Sequence, residues 1–101
     1  TRGMGEIIKV MGRIREHIIF TGRVQGVGFR FKTNYLAKHY GVTGWVQNNY
    51  DGTVEAQFQG REEELDRIIQ SLQQDPYISI DWITRKRIAL ETEEHGFCVK
   101  Y

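Results

Sequence analysis

An α+β sandwich, with two helices on one face of a mostly antiparallel sheet, is the fold that this 101-residue sequence predicts. Three observations carry the prediction. Apolar periodicities follow one another as strand, helix, strand, strand, helix, strand, with a short extra strand at the C-terminal end. The first helical pattern stops at Gly41 and the second before Pro76, both residues that end helices. Asp51-Gly52, between the two middle strands, has the chemistry of a tight hairpin turn. This order is the split β-α-β, ferredoxin-like plan.

Ile14 to Thr21, with Ile18-Ile19-Phe20 in succession, reads as a buried strand. From Phe29, the residues Phe29, Thr33, Leu36, Ala37 and Tyr40 recur on one helical face. Lys38 and His39 complement the negative end of that helix, and Gly41 suits the position just past it. Val42 to Asn48 and Thr53 to Gln59 form hairpin arms around Asn49-Tyr50-Asp51-Gly52, and Trp45 is expected in the core. A second helix runs from about Arg61 to Gln73. Its Leu65, Ile68, Ile69 and Leu72 have i, i+3, i+4, i+7 spacing, and Glu62-Glu63-Glu64 face the positive end of its dipole. Tyr77 to about Arg87 alternates in part, which puts Ile78, Ile80, Trp82 and Thr84 on one face. Phe97 to Tyr101 is the short last strand. Thr1 to Met11 stands apart as an N-terminal extension, flexible or left by expression, since Thr1-Arg2-Gly3 precede Met4. Residues 12–101 make up the domain.

A chain of this length builds one core. Its 40% hydrophobic and 27% charged residues are those of an ordinary globular protein. No apolar run reaches the length of a membrane span, and no leader-like block opens the chain. Cys98 is the only cysteine, so an internal disulfide is impossible and a reducing, cytoplasmic location is expected. Cys98 itself is expected to pack as a small apolar residue of the last strand. The net charge of +1 hides an asymmetry: residues 1–40 carry eight Lys or Arg against two Glu, whereas residues 41–101 carry six against eleven Asp or Glu. The basic half favours an anionic ligand, although a solvated basic face would show the same count.

That half contains Gly22-Arg23-Val24-Gln25-Gly26-Val27-Gly28-Phe29-Arg30. Three glycines in seven positions, between a strand and a helix start, allow a loop to expose converging N–H groups to an oxyanion. A tight strand-to-helix turn needing glycine for geometry alone is the competing explanation. Val24-Gln25 is not turn chemistry, however, and Arg30 falls in the first helical turn. A cation there opposes the helix dipole at a cost of about 0.3–1 kcal/mol unless an anion compensates it. Arg30 also supplies a planar fork suited to phosphate oxygens. The second candidate, Asn48 in Gly44-Trp45-Val46-Gln47-Asn48, lies where a strand enters the hairpin. Taken alone, it is simplest as a turn residue.

Together, Gly22 to Arg30, Gly44-Trp45-Val46-Gln47-Asn48, and then Gly52, Val54 and Gly60 closely resemble the acylphosphatase family, over nearly all of the chain from Ile14 onward. The resemblance implies a ferredoxin-like enzyme that hydrolyses the carboxyl–phosphate anhydride of acyl phosphates. It places the family's phosphate-binding arginine at Arg30, its water-orienting asparagine at Asn48 and its phosphate loop at Gly22, Arg23, Val24, Gln25, Gly26, Val27 and Gly28. One departure is Asn49, where many members have Thr or Ser. The segment before Ile14 has no counterpart in the family core.

The remaining residues agree with a site free of metal and cofactor. His17, His39 and His95 are scattered, and no pair of carboxylates has catalytic spacing. An arginine and an amide offer positioning and charge stabilisation without a base, which suits an activated phosphate with a carboxylate leaving group. Expected partners are an acyl phosphate and inorganic phosphate, the latter as product and inhibitor; no nucleic acid or membrane is expected, and the chain is expected to be a monomer. A phosphate-binding or regulatory module without turnover is the alternative. An RNA-binding sheet is disfavoured, because the strand from Thr53 to Gln59 carries only Phe58 as a stacking residue.

Overall fold

The computed structural model describes residues 12–101; the N-terminal extension expected at residues 1–11 lies outside them. The chain runs β1 (Arg13–Arg23), α1 (Phe29–Tyr40), β2 (Thr43–Asn48), β3 (Val54–Arg61), α2 (Glu62–Gln73), β4 (Ser79–Ile88) and β5 (Phe97–Lys100). The five strands form one sheet in the order β4-β1-β3-β2-β5. All pairings are antiparallel except that of β2 with β5. Both ends of α1 follow from glycine. Gly28 precedes it at φ 81°, and Gly41 follows it at φ 70°, letting the amide of Val42 return to the carbonyl of Ala37 at 2.8 Å. At the start of α2, the Glu64 carboxylate accepts the Arg61 amide at 3.0 Å.

Strand alternation gives the sheet two unlike faces. Ile18 and Phe20 of β1, Val46 of β2, and Val54, Ala56 and Phe58 of β3 are buried against the helices. They meet Phe29, Leu36 and Ala37 from α1 and Leu65, Ile68 and Leu72 from α2. Each such Leu, Ile or Phe contributes about 1.5–3 kcal/mol by leaving water. β3 is the central strand, paired with β1 on one edge and β2 on the other, and all three are inner strands.

Three sequence expectations change here. Between Thr21 and Gly22 the β1–β4 register shifts, so that Trp82 opposes Thr21 and Ile80 opposes Gly22. Asp81 is the extra residue, and the period-2 pattern changes phase across it. Ile83, not Trp82, therefore packs on the core, while Trp82 is 69% exposed and Thr84 is exposed. Trp45 opposes Gln57 on the face away from the helices, partly buried beneath the Lys100 ammonium, 4.1 Å from its ring centre, and is not a core residue. Cys98 lies in β5 and is exposed, so it packs in no core.

The second face is closed by the segment between β4 and β5, which must cross the sheet because those strands are opposite edges. Arg15 anchors it. This guanidinium, 2% exposed, donates through Nη1 and Nη2 to the two Glu94 oxygens at 2.7 and 3.1 Å. It also donates to Gln57 at 2.8 Å and to Gln59 at 3.2 Å. Gln59 in turn exchanges two hydrogen bonds with the backbone of Glu91. Burial pushes the Glu94 carboxyl up, but the hydrogen bonds and charge of Arg15 outweigh it and hold the group below its ordinary value.

A carboxylate held low in the folded state stabilises the fold above its unfolded-state pKa, and loses that contribution as pH falls through the folded value. Glu94→Gln should therefore lower stability at neutral pH by about 1.5–3 kcal/mol, the worth of a hydrogen bond to a charged group. The gap between wild type and variant should narrow in acid, below the ordinary glutamate range. Thermal melts of both proteins from pH 7 to pH 3 check this; a gap that stays constant over that range would remove the Arg15–Glu94 pair from the account.

Candidate active site

The loop from β1 to α1 combines two kinds of glycine. Gly22, at φ 136°, is needed because a Cβ there would collide with the Ser79 carbonyl of the neighbouring strand. Gly26 and Gly28, at φ 73° and 81°, have open space around them and serve the loop's left-handed turns. Among the described residues, the amides of Gly26 to Phe31 find no acceptor. The N-cap glycine offers no side chain to cap them, and the first turn of α1 holds no acid. This end of the helix thus leaves donors and positive dipole available to an anion.

Beside it is a cavity of about 280 Å³, lined by Val24, Gly26, Gly28, Arg30, Asn34 and Asn48, with Phe29, Phe31, Val99 and Tyr101 completing the wall. Of the residues expected from sequence, Arg30, Asn48, Val24, Gly26 and Gly28 come together here. Gly22 and Arg23 do not: both belong to β1, paired with Ile80 and Ser79 of β4, and Arg23 is exposed. Val27 packs on the core. Gln25 acts as a strap, its Nε2 donating to the carbonyls of Asn49 at 2.7 Å and Thr53 at 2.9 Å. It ties the loop to the hairpin that follows Asn48.

Arg30 and its neighbour Lys32 differ in an instructive way. Lys32 is neutralised by Asp75 at 2.7 Å, which holds the Asp75 carboxyl below its ordinary value. Arg30 pairs with no described carboxylate side chain; its guanidinium lies over the Tyr101 ring, 4.9 Å from the centroid. That stacking orients the fork without consuming its charge. Asn48 is the other asymmetry. Its Oδ1 is buried with no hydrogen-bond partner among the described residues, a state that costs about 1–3 kcal/mol when nothing occupies it. The turn itself is held by Asn49, which donates through Nδ2 to Thr53 Oγ1 at 3.0 Å and accepts from Gln47 at 3.2 Å. Asp51 completes it by accepting from Thr53. Asn48 is therefore not needed for the turn, which weakens its simplest sequence explanation. Asn49, the departure from the family pattern, is used by the hairpin.

Sequence reasoning missed Asn34, Phe31, Val99 and Tyr101. Asn34 was within reach, since it follows Arg30 by four residues and so shares its helical side. Val99 and Tyr101 were not, because only the parallel pairing of β5 with β2 brings them here. Among the described residues, no three His, Cys, Asp or Glu side chains stand together as a metal site, and no helix is long and apolar enough to cross a membrane.

Fold and cavity define a small α+β domain with an amide-lined, cationic recess. A profile of the acylphosphatase family matches residues 16–99. An acylphosphatase of Thermococcus kodakarensis is 42% identical over 91 residues, covering 88% of this chain and 98% of that protein. The crystal structure of the Bacillus subtilis acylphosphatase superposes with a TM-score of 0.80 at 31% identity, over 87% of this chain and 99% of that one. A full-length HypF, solved in a phosphate- and nucleotide-bound form, matches with a TM-score of 0.79 at 27% identity; 88% of this chain corresponds to 12% of HypF. The chain belongs to the acylphosphatase family, and its activity is that of an acylphosphatase, a hydrolase of acyl phosphates.

Removing the Gln25 strap tests whether loop and hairpin must be joined. Gln25→Ala should lower stability by about 0.5–1.5 kcal/mol per hydrogen bond lost. It should also reduce kcat/KM on an aromatic acyl phosphate about 10-fold or more, because the two halves of the site drift apart. Melting and steady-state kinetics of the purified variant give both numbers; unchanged kcat/KM would make the strap irrelevant to the site.

Proposed function

We propose that the recess binds the phosphoryl group of an acyl phosphate and that water attacks phosphorus in line with the carboxylate leaving group, without a metal. The observation supporting this is that a guanidinium and an amide carbonyl, both without a partner among the described residues, line one cavity with a bare helix N-terminus. Amides between Val24 and Gly28, with those opening α1, hold the phosphoryl oxygens alongside Arg30 and stabilise their charge as the P–O bond to the acyl group breaks. Asn48 accepts a hydrogen bond from the attacking water. The water oxygen forms the new P–O bond, the acyl oxygen leaves as carboxylate, and the water's proton passes to a phosphate oxygen or to solvent. A neutral amide takes up no proton, so Asn48 positions without acting as a base. Gly22 and Arg23 serve the β1–β4 pairing in this scheme. Inorganic phosphate, sharing the phosphoryl contacts, is a product inhibitor, and the enzyme acts as a cytoplasmic monomer.

The likeness to a short stretch of HypF favours one other reading, a phosphate-binding module that works as part of a larger protein without turnover. Hydrolysis of an aromatic acyl phosphate by this chain alone, followed by loss of anhydride absorbance, separates the two. Activity should persist in excess chelator, with competitive inhibition by inorganic phosphate. Loss of activity on chelation, restored by a divalent ion, would contradict the mechanism.

Two substitutions assign the roles. Arg30→Ala should lower kcat/KM by about 10²–10³, the loss expected for one charge-stabilising donor, and should weaken phosphate binding. It should leave the melting temperature unchanged or raised, since a first-turn cation disappears. Asn48→Ala should reduce kcat by a similar factor while phosphate binds as in the wild type. If Asn48→Ala keeps substantial kcat at saturating substrate, Asn48 does not hold the water.

A further inference from the structure

We infer that Asn34 is the second amide holding the attacking water, sharing it with Asn48; the inference rests on the role proposed for Asn48. Three buried side-chain oxygens lack a hydrogen-bond partner among the described residues: Asn34 Oδ1, Asn48 Oδ1 and Thr43 Oγ1. Two of the three belong to residues that line the same cavity, the one containing Arg30. Asn34 reaches it from α1 and Asn48 from the end of β2, so the two amides approach from different elements.

Both orphaned atoms are acceptors, and this narrows what can satisfy them. A phosphoryl group ionised at neutral pH presents oxygens of its own and would be repelled by a carbonyl oxygen. The occupant must donate, and to satisfy two acceptors at once it must donate twice. Water does so with both hydrogens, which leaves its lone pairs free for phosphorus; as the new P–O bond forms, one hydrogen leaves its amide acceptor for a phosphate oxygen or solvent, since neither amide takes up a proton. One acceptor would let the water swing about a single hydrogen bond. Two acceptors on separate elements fix its orientation, which is the condition for productive attack. Helix geometry supplies the arrangement: Asn34 lies four residues, about 6 Å, along the axis from Arg30 and on the same side, so the phosphate-holding cation and the water-holding amide are set by one rigid element.

The test is a double-mutant cycle with phosphate affinity measured alongside. Asn34→Leu and Asn34→Ala both remove the acceptor but differ in volume, so one reports if the other folds poorly. Each should lower kcat about 10²-fold while KM and the Kd for inorganic phosphate stay within about twofold, because the water is misplaced and the phosphate contacts remain. Melting temperature should hold or rise with Leu, since an unpartnered buried carbonyl is replaced by an apolar group. Combined with Asn48→Ala, the Asn34→Ala change should cost little more than Asn48→Ala alone, as expected for two residues acting on one water. Wild-type kcat in the Asn34 variants, beside an inactive Asn48→Ala, would overturn the role of Asn34 and leave that of Asn48 standing. An active Asn48→Ala would instead remove the reading beneath it. Weakened phosphate binding in the Asn34 variants, or costs that multiply in the double variant, would also overturn the shared water.

Discussion

Two chain reversals that are remote in sequence have to stay side by side in this protein, and the side-chain amide of Gln25 is what joins them. Its two donors reach the carbonyls of Asn49 and Thr53, the first and last positions of the hairpin turn. The loop that opens α1 and the strand end that carries Asn48 thereby become one wall of one cavity. Without such a strap, little would fix the Gly26 and Gly28 conformations, because a Cβ at either position would meet only open space. The strap lets a permissive loop behave as a fixed one.

The electrostatics follow from what is withheld. α2 begins with three glutamates and a carboxylate on its N-cap amide, as a stable helix should. α1 begins with a glycine cap, no acid, and two cations, of which, among the described residues, only Lys32 is paired. The second helix shows that the chain has the means to cap a helix, so the bare start of the first is a local departure of the kind functional sites show, and the proposed phosphoryl ligand would supply its counter-charge. Its stability is supplied elsewhere, by the apolar face of Phe29, Leu36 and Ala37 and by the buried Arg15 cluster that closes the far side of the sheet.

The sequence made the fold legible wherever the signal was local. Gly41 ended α1 by the expected left-handed cap, Pro76 follows the end of α2, and Asp51-Gly52 turned the hairpin. It misled where one residue shifts a period: Asp81 bulges from β4, so Trp82 leaves the face that alternation gave it with Ile78 and Ile80. Long-range pairings were invisible. Arg15 and Glu94 are separated by 79 positions, and only the edge-to-edge crossing between β4 and β5 brings them together. The site was read in part. Arg30 stood out because it contradicts its helix, whereas Asn34 follows the helical rules, and only an oxygen left without a partner among the described residues draws attention to it.

At the centre of the account is water attacking phosphorus while the carboxylate leaves. Hydrolysis of an acyl phosphate in ¹⁸O-labelled water, with both products analysed by mass, tests that step most directly. The label should appear once in inorganic phosphate and be absent from the carboxylate. Label in the carboxylate would mean attack at the acyl carbon, and would contradict a site built to hold the phosphoryl group and aim water at it.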